Sequence, residues 1–423
     1  MRIIKTAMFP LLLLLVAGGA MARNSGGGLG AWQNPDIGFV YDLKWDLHNA
    51  QAHDHGTAEW KTRGFALGTA ELSIGAEVDP YTRIDFNGMF FSEGAEIHEL
   101  YFTAHSLPWA LKARGGQFLA SFGRWSQFHS HSLPFVSEPR ILREYLGGHF
   151  MPTGLELSWL APTDHYVEFY GGVFNGIQGH THDTDPADGH GAYGPDNPPP
   201  GCHYHGDRLH CPDNEELENY YRSLLEDKDG PVSPAGNLGP ADLAYLGRVQ
   251  TSLELGLNWS VDLGASVLHQ DTHKTSRRYP GTDYSKTTGG VDMAVFWNPV
   301  EANLYRGADF GVEYLSNRQQ YEVLAGGNYV QRTLVRDGFF TWARYRLNRT
   351  WDFGATYEAF ALAAGAENTR TRLGAFLTWN VSHYQKVRLE YVRDDRGDFA
   401  DSVDQIILQF DGVIGYHTHG RQR

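Results

Sequence analysis

Histidine is where chemistry first shows in this sequence. Twenty occur in 423 residues, and they cluster. His53 and His55 stand with His48 near the N-terminus; His180, His182, His190, His203, His205 and His210 fall within one long polar stretch. Gly179-His180-Thr181-His182-Asp183-Thr184-Asp185 sets imidazoles beside the carboxylates of Asp183 and Asp185, and Cys202 to Cys211 encloses His203, His205 and His210. Such donors suit zinc, or the nickel and copper that also accept imidazole, better than calcium, which prefers an all-oxygen shell. The plainer alternative is a polar external loop with no defined site. Cys202 and Cys211, the only cysteines, read as a short-loop disulfide in an exported chain. Once oxidised they are not thiolate ligands, although the bridge would preorganise the three histidines between them.

A second chemical cluster lies in 122–148, where Arg124, His129, His131, Arg140 and Arg143 are set among Phe122, Trp125, Phe128, Leu133 and Phe135. An apolar-aromatic segment is costly to hold in water, so the expectation is that it folds inward and forms a pore constriction. The arginines would then face solute, with Glu138 and Glu144 as pairing partners; adhesion to an outer rim is the alternative. No Gly-x-Ser-x-Gly elbow, His-Glu-x-x-His helix or Walker-type phosphate loop occurs, so no enzyme is expected and no cofactor is required.

The elements that would position these residues read as all-β. Forty-nine glycines, 45 Phe plus Tyr and 11 Trp favour strands over helices. Arg2 and Lys5, an apolar run from Met8 to Ala17, and Ala20-Met21-Ala22 form a signal peptide over 1–22, followed by a short segment 23–35. Period-two alternation then recurs, as in Arg83–Phe90, Val249–Trp259 and Trp351–Phe360, in runs of about the 9 to 11 residues that a tilted membrane strand needs. Sixteen strands are predicted over 36–416, with a tail at 417–423. Long loops are expected at 47–64, 122–148, 175–246, 271–287, 317–337 and 361–370, nearly all at one end, with a short helix over Asp213–Lys228. Charged residues on the inward face, including Asp85, Glu168, Glu254, Asp352, Glu358, Arg388 and Glu390, imply a wet interior, and Trp259, Trp297, Trp351, Trp379, Tyr314 and Tyr391 fall where rings meet headgroups. The sequence therefore predicts a transmembrane antiparallel β-barrel in an outer membrane of the Gram-negative type. With 35 basic against 50 acidic residues and no basic block, nucleic acid is excluded as a partner, and cations or zwitterionic solutes are favoured.

Gly115-Gly116-Gln117-Phe118, Phe122-Gly123-Arg124, His129, His131 and Leu133-Pro134-Phe135 resemble the segment after the fifth strand of phosphate-selective-porin-like outer-membrane proteins. The histidine-rich loops and the tail Ile414-Gly415-Tyr416-His417-Thr418-His419 are similar to a zinc-associated branch of that family. The resemblance implies a sixteen-stranded diffusion channel, often a homotrimer, with the segment near 122–148 contributing to the constriction. It does not carry phosphate over as substrate, because 122–148 contains no lysine and the chain is acidic. The leading expectation is passage of small hydrophilic solutes through a lipid-embedded barrel, with zinc or another divalent metal captured by the external histidines. The alternative is a non-conducting surface protein for metal binding or adhesion on the same scaffold.

Overall fold

The computed structural model describes residues 35–49, 64–90, 94–146, 150–177, 203–205, 208–210, 240–274, 282–300, 305–325, 328–361, 369–395 and 402–415. Sixteen antiparallel strands close into one barrel. In chain order they are β1 (Asp36–His48), β2 (Gly64–Asp79), β3 (Thr82–Phe90), β4 (Ala95–Leu107), β5 (Leu111–Gln117), β6 (Thr153–Leu160), β7 (Tyr166–Phe174) and β8 (Ala244–Leu255). The second half comprises β9 (Trp259–Lys274), β10 (Thr282–Trp297), β11 (Gly307–Ala325), β12 (Asn328–Arg346), β13 (Trp351–Ala361), β14 (Thr369–Asn380), β15 (Gln385–Asp395) and β16 (Val403–Gly415). β1 pairs with β16 from Gly38↔Gly415 to His48↔Gln405, so every strand has two neighbours and no edge is left. In a bilayer this satisfies every strand's backbone polar groups without water.

Alternation sets the two faces. On β14, Leu373, Leu377 and Trp379 are exposed outward, whereas Phe376 and Thr378 are buried inward. At the short-connection end the outward rings meet across registered pairs: Trp351 opposite Trp379 with centroids 6.0 Å apart, and Trp259 opposite Trp297 at 6.3 Å. Toward the other end the Tyr314 and Tyr391 hydroxyls donate to Asp337 and Asp404, where the outer face turns polar. The lipid-facing band lies between these rows. Leu373→Arg, placed on that band, is expected to destabilise the barrel by about 2–4 kcal/mol; the midpoint of urea unfolding in lipid vesicles would fall, and an unchanged midpoint would show that Leu373 does not face lipid.

The strand assignments differ from the sequence expectation in three places. β11 and β12 run on as a continuous hairpin to Ala325↔Asn328, so most of 317–337 is strand rather than loop. Apolar alternation fades there because strands rising above a bilayer no longer need an oily outer face. β9 and β10 likewise stay paired to Lys274↔Thr282, which narrows the expected loop at 271–287. In the opposite direction, β5 stops at Gln117 and β6 starts at Thr153, because 118–121 and 150–152 leave the wall for the interior. The proposed helix over Asp213–Lys228, the signal segment, and Cys202 and Cys211 lie outside the described residues; between the cysteines, a two-stranded backbone hairpin pairs His203 with His210.

Candidate functional site

The segment between β5 and β6 enters the barrel, and its residues show why. Gly116 has φ +132°, and a Cβ there would sit 2.2 Å from the Leu100 carbonyl oxygen, so the strand passes its neighbour at a distance only glycine allows. Beyond it, Phe118, Phe122, Trp125, Leu133, Phe135, Ile141, Tyr145 and Phe150 pack on inward-facing Phe174, Leu246, Leu268, Phe296, Phe340, Trp342, Phe360 and Phe376. This is an apolar core inside a barrel whose interior is otherwise polar. Trp125 meets Trp342 edge-on at 4.6 Å, and Phe135 meets Phe340 at 5.4 Å.

The irregular backbone must also find acceptors inside the barrel, and wall glutamates supply them. Glu99 accepts the Leu119 N–H at 2.8 Å, Glu156 the Ser121 N–H at 2.8 Å, and Glu313 the Arg124 and Trp125 N–H groups at 3.1 and 3.3 Å. Glu390 accepts from Val136 and Ser137, and Glu358 accepts the Ile141 N–H at 3.1 Å in the first turn of α1 (Arg140–Leu146), where the helix dipole favours an anion. The cations answer in the same way: Arg388 donates to the Leu133 and Phe135 carbonyls, and Lys386 to that of His131. Gly123, at φ +57°, lies so close to Glu313 that a Cβ would collide with its carboxylate. The Tyr145 hydroxyl reaches the Asp337 and Ala361 carbonyls, and burial pushes its phenol up, keeping it a donor.

The residues expected at the constriction separate into two groups. Arg124 is half-buried, paired with Asp262 at 3.2 Å, and lies over the Phe296 ring at 5.2 Å. Its partner is thus a wall aspartate, and neither Glu138 nor Glu144. Arg140 is buried at the start of α1 and Arg143 is half-buried within it. His129 and His131 are both buried against β2 and β4. His180, His182, Asp183, Asp185, His53 and His55 lie outside the described residues, and for His203, His205 and His210 the structure describes backbone alone.

The histidines that do come together were not expected to do so. His129 and His131 meet Glu71 of β2, their ligand-type atoms all within 4.8 Å of one another. His129 Nε2 is 3.2 Å from Glu99, and the His98 ring stands edge-on to His129 with centroids 4.4 Å apart. A β-bulge explains how adjacent His98 and Glu99 are both buried: Asn87 pairs with Glu99 and Gly88 with Ile97, leaving His98 as the extra residue. Glu71 carries a sequence signal, since it shares the inward period-two face of β2 with Ser73; the bulge carries none.

A further feature is the depth at which charges sit. In four of the inner-wall ion pairs the cation is the more exposed member: side-chain exposures are 28% for Lys44 against 0% for Asp42, 21% for Arg114 against 2% for Glu156, 20% for Arg344 against 3% for Asp309, and 23% for Lys386 against 1% for Asp411, whereas Arg248–Asp292 and Arg370–Asp394 are buried on both sides. In these four pairs the carboxylate lies against the wall and the cation in front of it. Arg124, Arg344, Lys386 and Arg388, with Asp309 and Asp352, line a space near the short-connection end.

No family model matches the chain. An uncharacterized protein of Aquifex aeolicus is 25% identical over 386 residues, 88% of this chain and 72% of that protein. Among solved structures, the outer-membrane channel DcaP of Acinetobacter baumannii is similar with a TM-score of 0.52 at 13% identity, covering 90% of this chain and 96% of that one. An anion-selective porin from Comamonas acidovorans is similar with a TM-score of 0.52 at 9% identity, covering 90% and 99%. These likenesses show the fold. The protein has the fold of a sixteen-stranded transmembrane β-barrel.

Proposed function

We propose that the protein is a passive outer-membrane channel for small hydrophilic solutes, narrowed by the segment between β5 and β6. The observation that carries this reading is the charged inner wall, where four partly exposed cations stand in front of buried carboxylates. A barrel serving only as a surface scaffold has no need of a wet, charged interior, since an apolar filling would be at least as stable. Because Arg344 and Lys386 are the more exposed members of their pairs, the solutes favoured at this level are anionic or zwitterionic, despite the chain's net charge of -15. Arg124 belongs to this lining; Arg140 and Arg143 serve by holding the segment in place.

Divalent-metal capture by the external residues around His180–Asp185 and His203–His210 is the second part of the proposal, supported by their composition alone. Single-channel recording in a planar bilayer tests both parts. Discrete conductance steps are expected, grouped in threes for the homotrimer that the family resemblance implies, and zinc added from the loop side is expected to modify them. A chain lacking residues 179–211 should conduct but lose the zinc response. Correctly folded protein with no conductance would overturn the channel reading in favour of the surface metal-binding or adhesion role.

A further inference from the structure

Where the inserted segment passes β2, two imidazoles and one carboxylate converge. His129 and His131 flank Ser130 in a short turn, Ser130–Ser132, and Glu71 projects inward from β2. The two Nδ1 atoms stand 3.7 and 3.9 Å from the same Glu71 oxygen, Oε2. These separations are too long for hydrogen bonds. They are close to the edges of a metal-centred tetrahedron, since bonds of 2.0–2.2 Å place neighbouring ligands about 3.3–3.6 Å apart.

The surroundings orient His129 and Glu71 toward the shared point. His129 Nε2 faces Glu99 Oε2 at 3.2 Å, and the Glu99 carboxylate is itself fixed by the Asn87 amide at 2.7 Å and the Leu119 N–H at 2.8 Å. In the tautomer that donates Nε2–H to Glu99, the lone pair lies on Nδ1, on the side of Glu71 and His131. A metal-bound histidine is oriented in just this way, by a carboxylate on its far nitrogen. The Ser73 hydroxyl donates to Glu71 Oε1 at 3.2 Å, which turns Oε2 to the imidazoles. All three ligating residues are buried.

We propose that Glu71, His129 and His131 bind one divalent transition-metal ion, zinc by the nature of the donors, with a water completing a four-coordinate shell. The apolar packing holds the inserted segment against β7–β14; this site fastens it to β2 as well. The metal is structural, and it is separate from any ion held by the external loops.

The test uses the full-length protein and a chain lacking residues 179–211, both stripped of metal, loaded with zinc alone and freed of excess by gel filtration. The shortened chain is expected to retain one equivalent, and Glu71→Gln or His131→Gln in that background to lose it. Glu99→Gln, which leaves all three ligands in place, should weaken affinity by about 10- to 100-fold. Cobalt(II) in the same site should give the visible absorption of a four-coordinate ion. Heat-shifted electrophoretic mobility and circular dichroism report whether each variant has folded. No retained equivalent in the shortened chain, or an unchanged equivalent in both folded ligand variants, overturns the proposal. If both ligand variants fail to fold, the cobalt spectrum of the unsubstituted site decides: absence of the four-coordinate bands overturns it.

Discussion

Phe135→Ala is expected to free the inserted segment without melting the barrel. Phe135 is fully buried and meets Trp125 at 5.3 Å, Phe340 at 5.4 Å and Phe376 at 6.3 Å. Truncating an aromatic side chain at so packed a point costs about 3–5 kcal/mol. That cost falls on the segment, because the strand ladders close on one another without it. It falls, moreover, at the centre of the polar attachments: Arg388 holds the Leu133 and Phe135 carbonyls, and Glu390 holds the next two N–H groups. Loosening Phe135 therefore weakens several charge-assisted bonds, each of about 1.5–3 kcal/mol, so the local loss exceeds that of one ring. Mean single-channel conductance should rise about twofold or more with added flicker, amide exchange over 118–146 should accelerate, and the heat-shifted mobility of the folded barrel should persist. Unchanged exchange and conductance would mean that the segment is held by the wall glutamates alone and that its apolar face contributes little.

The barrel was legible in the sequence because its cause is local. A strand with lipid on one side and water on the other must alternate, and that pattern located all sixteen strands. It failed where the cause was absent: above the bilayer, where β11 and β12 continue without an apolar face, and at 118–121, where the apolar residues belong to an internal core and mimic strand. The inward path of 122–146 was readable from its aromatic content. The roles of its polar residues were not, because those depend on which wall position each one meets. Arg124 meets Asp262, 138 residues away, and His129 meets Glu71 and Glu99 through a bulge that no spacing announces. Histidine counting finds clusters in sequence, and a cluster assembled from a turn and the barrel wall leaves no such trace.

The largest effect on selectivity is expected from the double substitution Arg344→Gln with Lys386→Gln. Both cations line the space near the short-connection end, in front of Asp309 at 2.9 Å and Asp411 at 3.3 Å. Net charge counts these four groups as zero, but an ion in the lumen meets them in order of depth, cations first. Removing the two cations strips Asp309 of its ion-pair partner and leaves it only the more distant Arg346, while Asp411 keeps Arg388 at 3.0 Å; the local balance thus falls by two charges without a new charge being buried. Two unit charges 4 Å apart interact by about 1 kcal/mol in bulk water and roughly 4 kcal/mol at an effective dielectric constant of 20, so the ratio of chloride to potassium permeability should fall by about 3- to 10-fold. The reversal potential in a potassium chloride gradient should move toward the cation side. The shift should be larger at 0.1 M than at 1 M salt, because the screening length shrinks from about 10 Å to about 3 Å. The same reversal potential in wild type and variant at low salt would mean that permeating ions do not pass this lining. The ordering of charge by depth would then serve to hold the wall together, and selectivity would have to be set by the external loops.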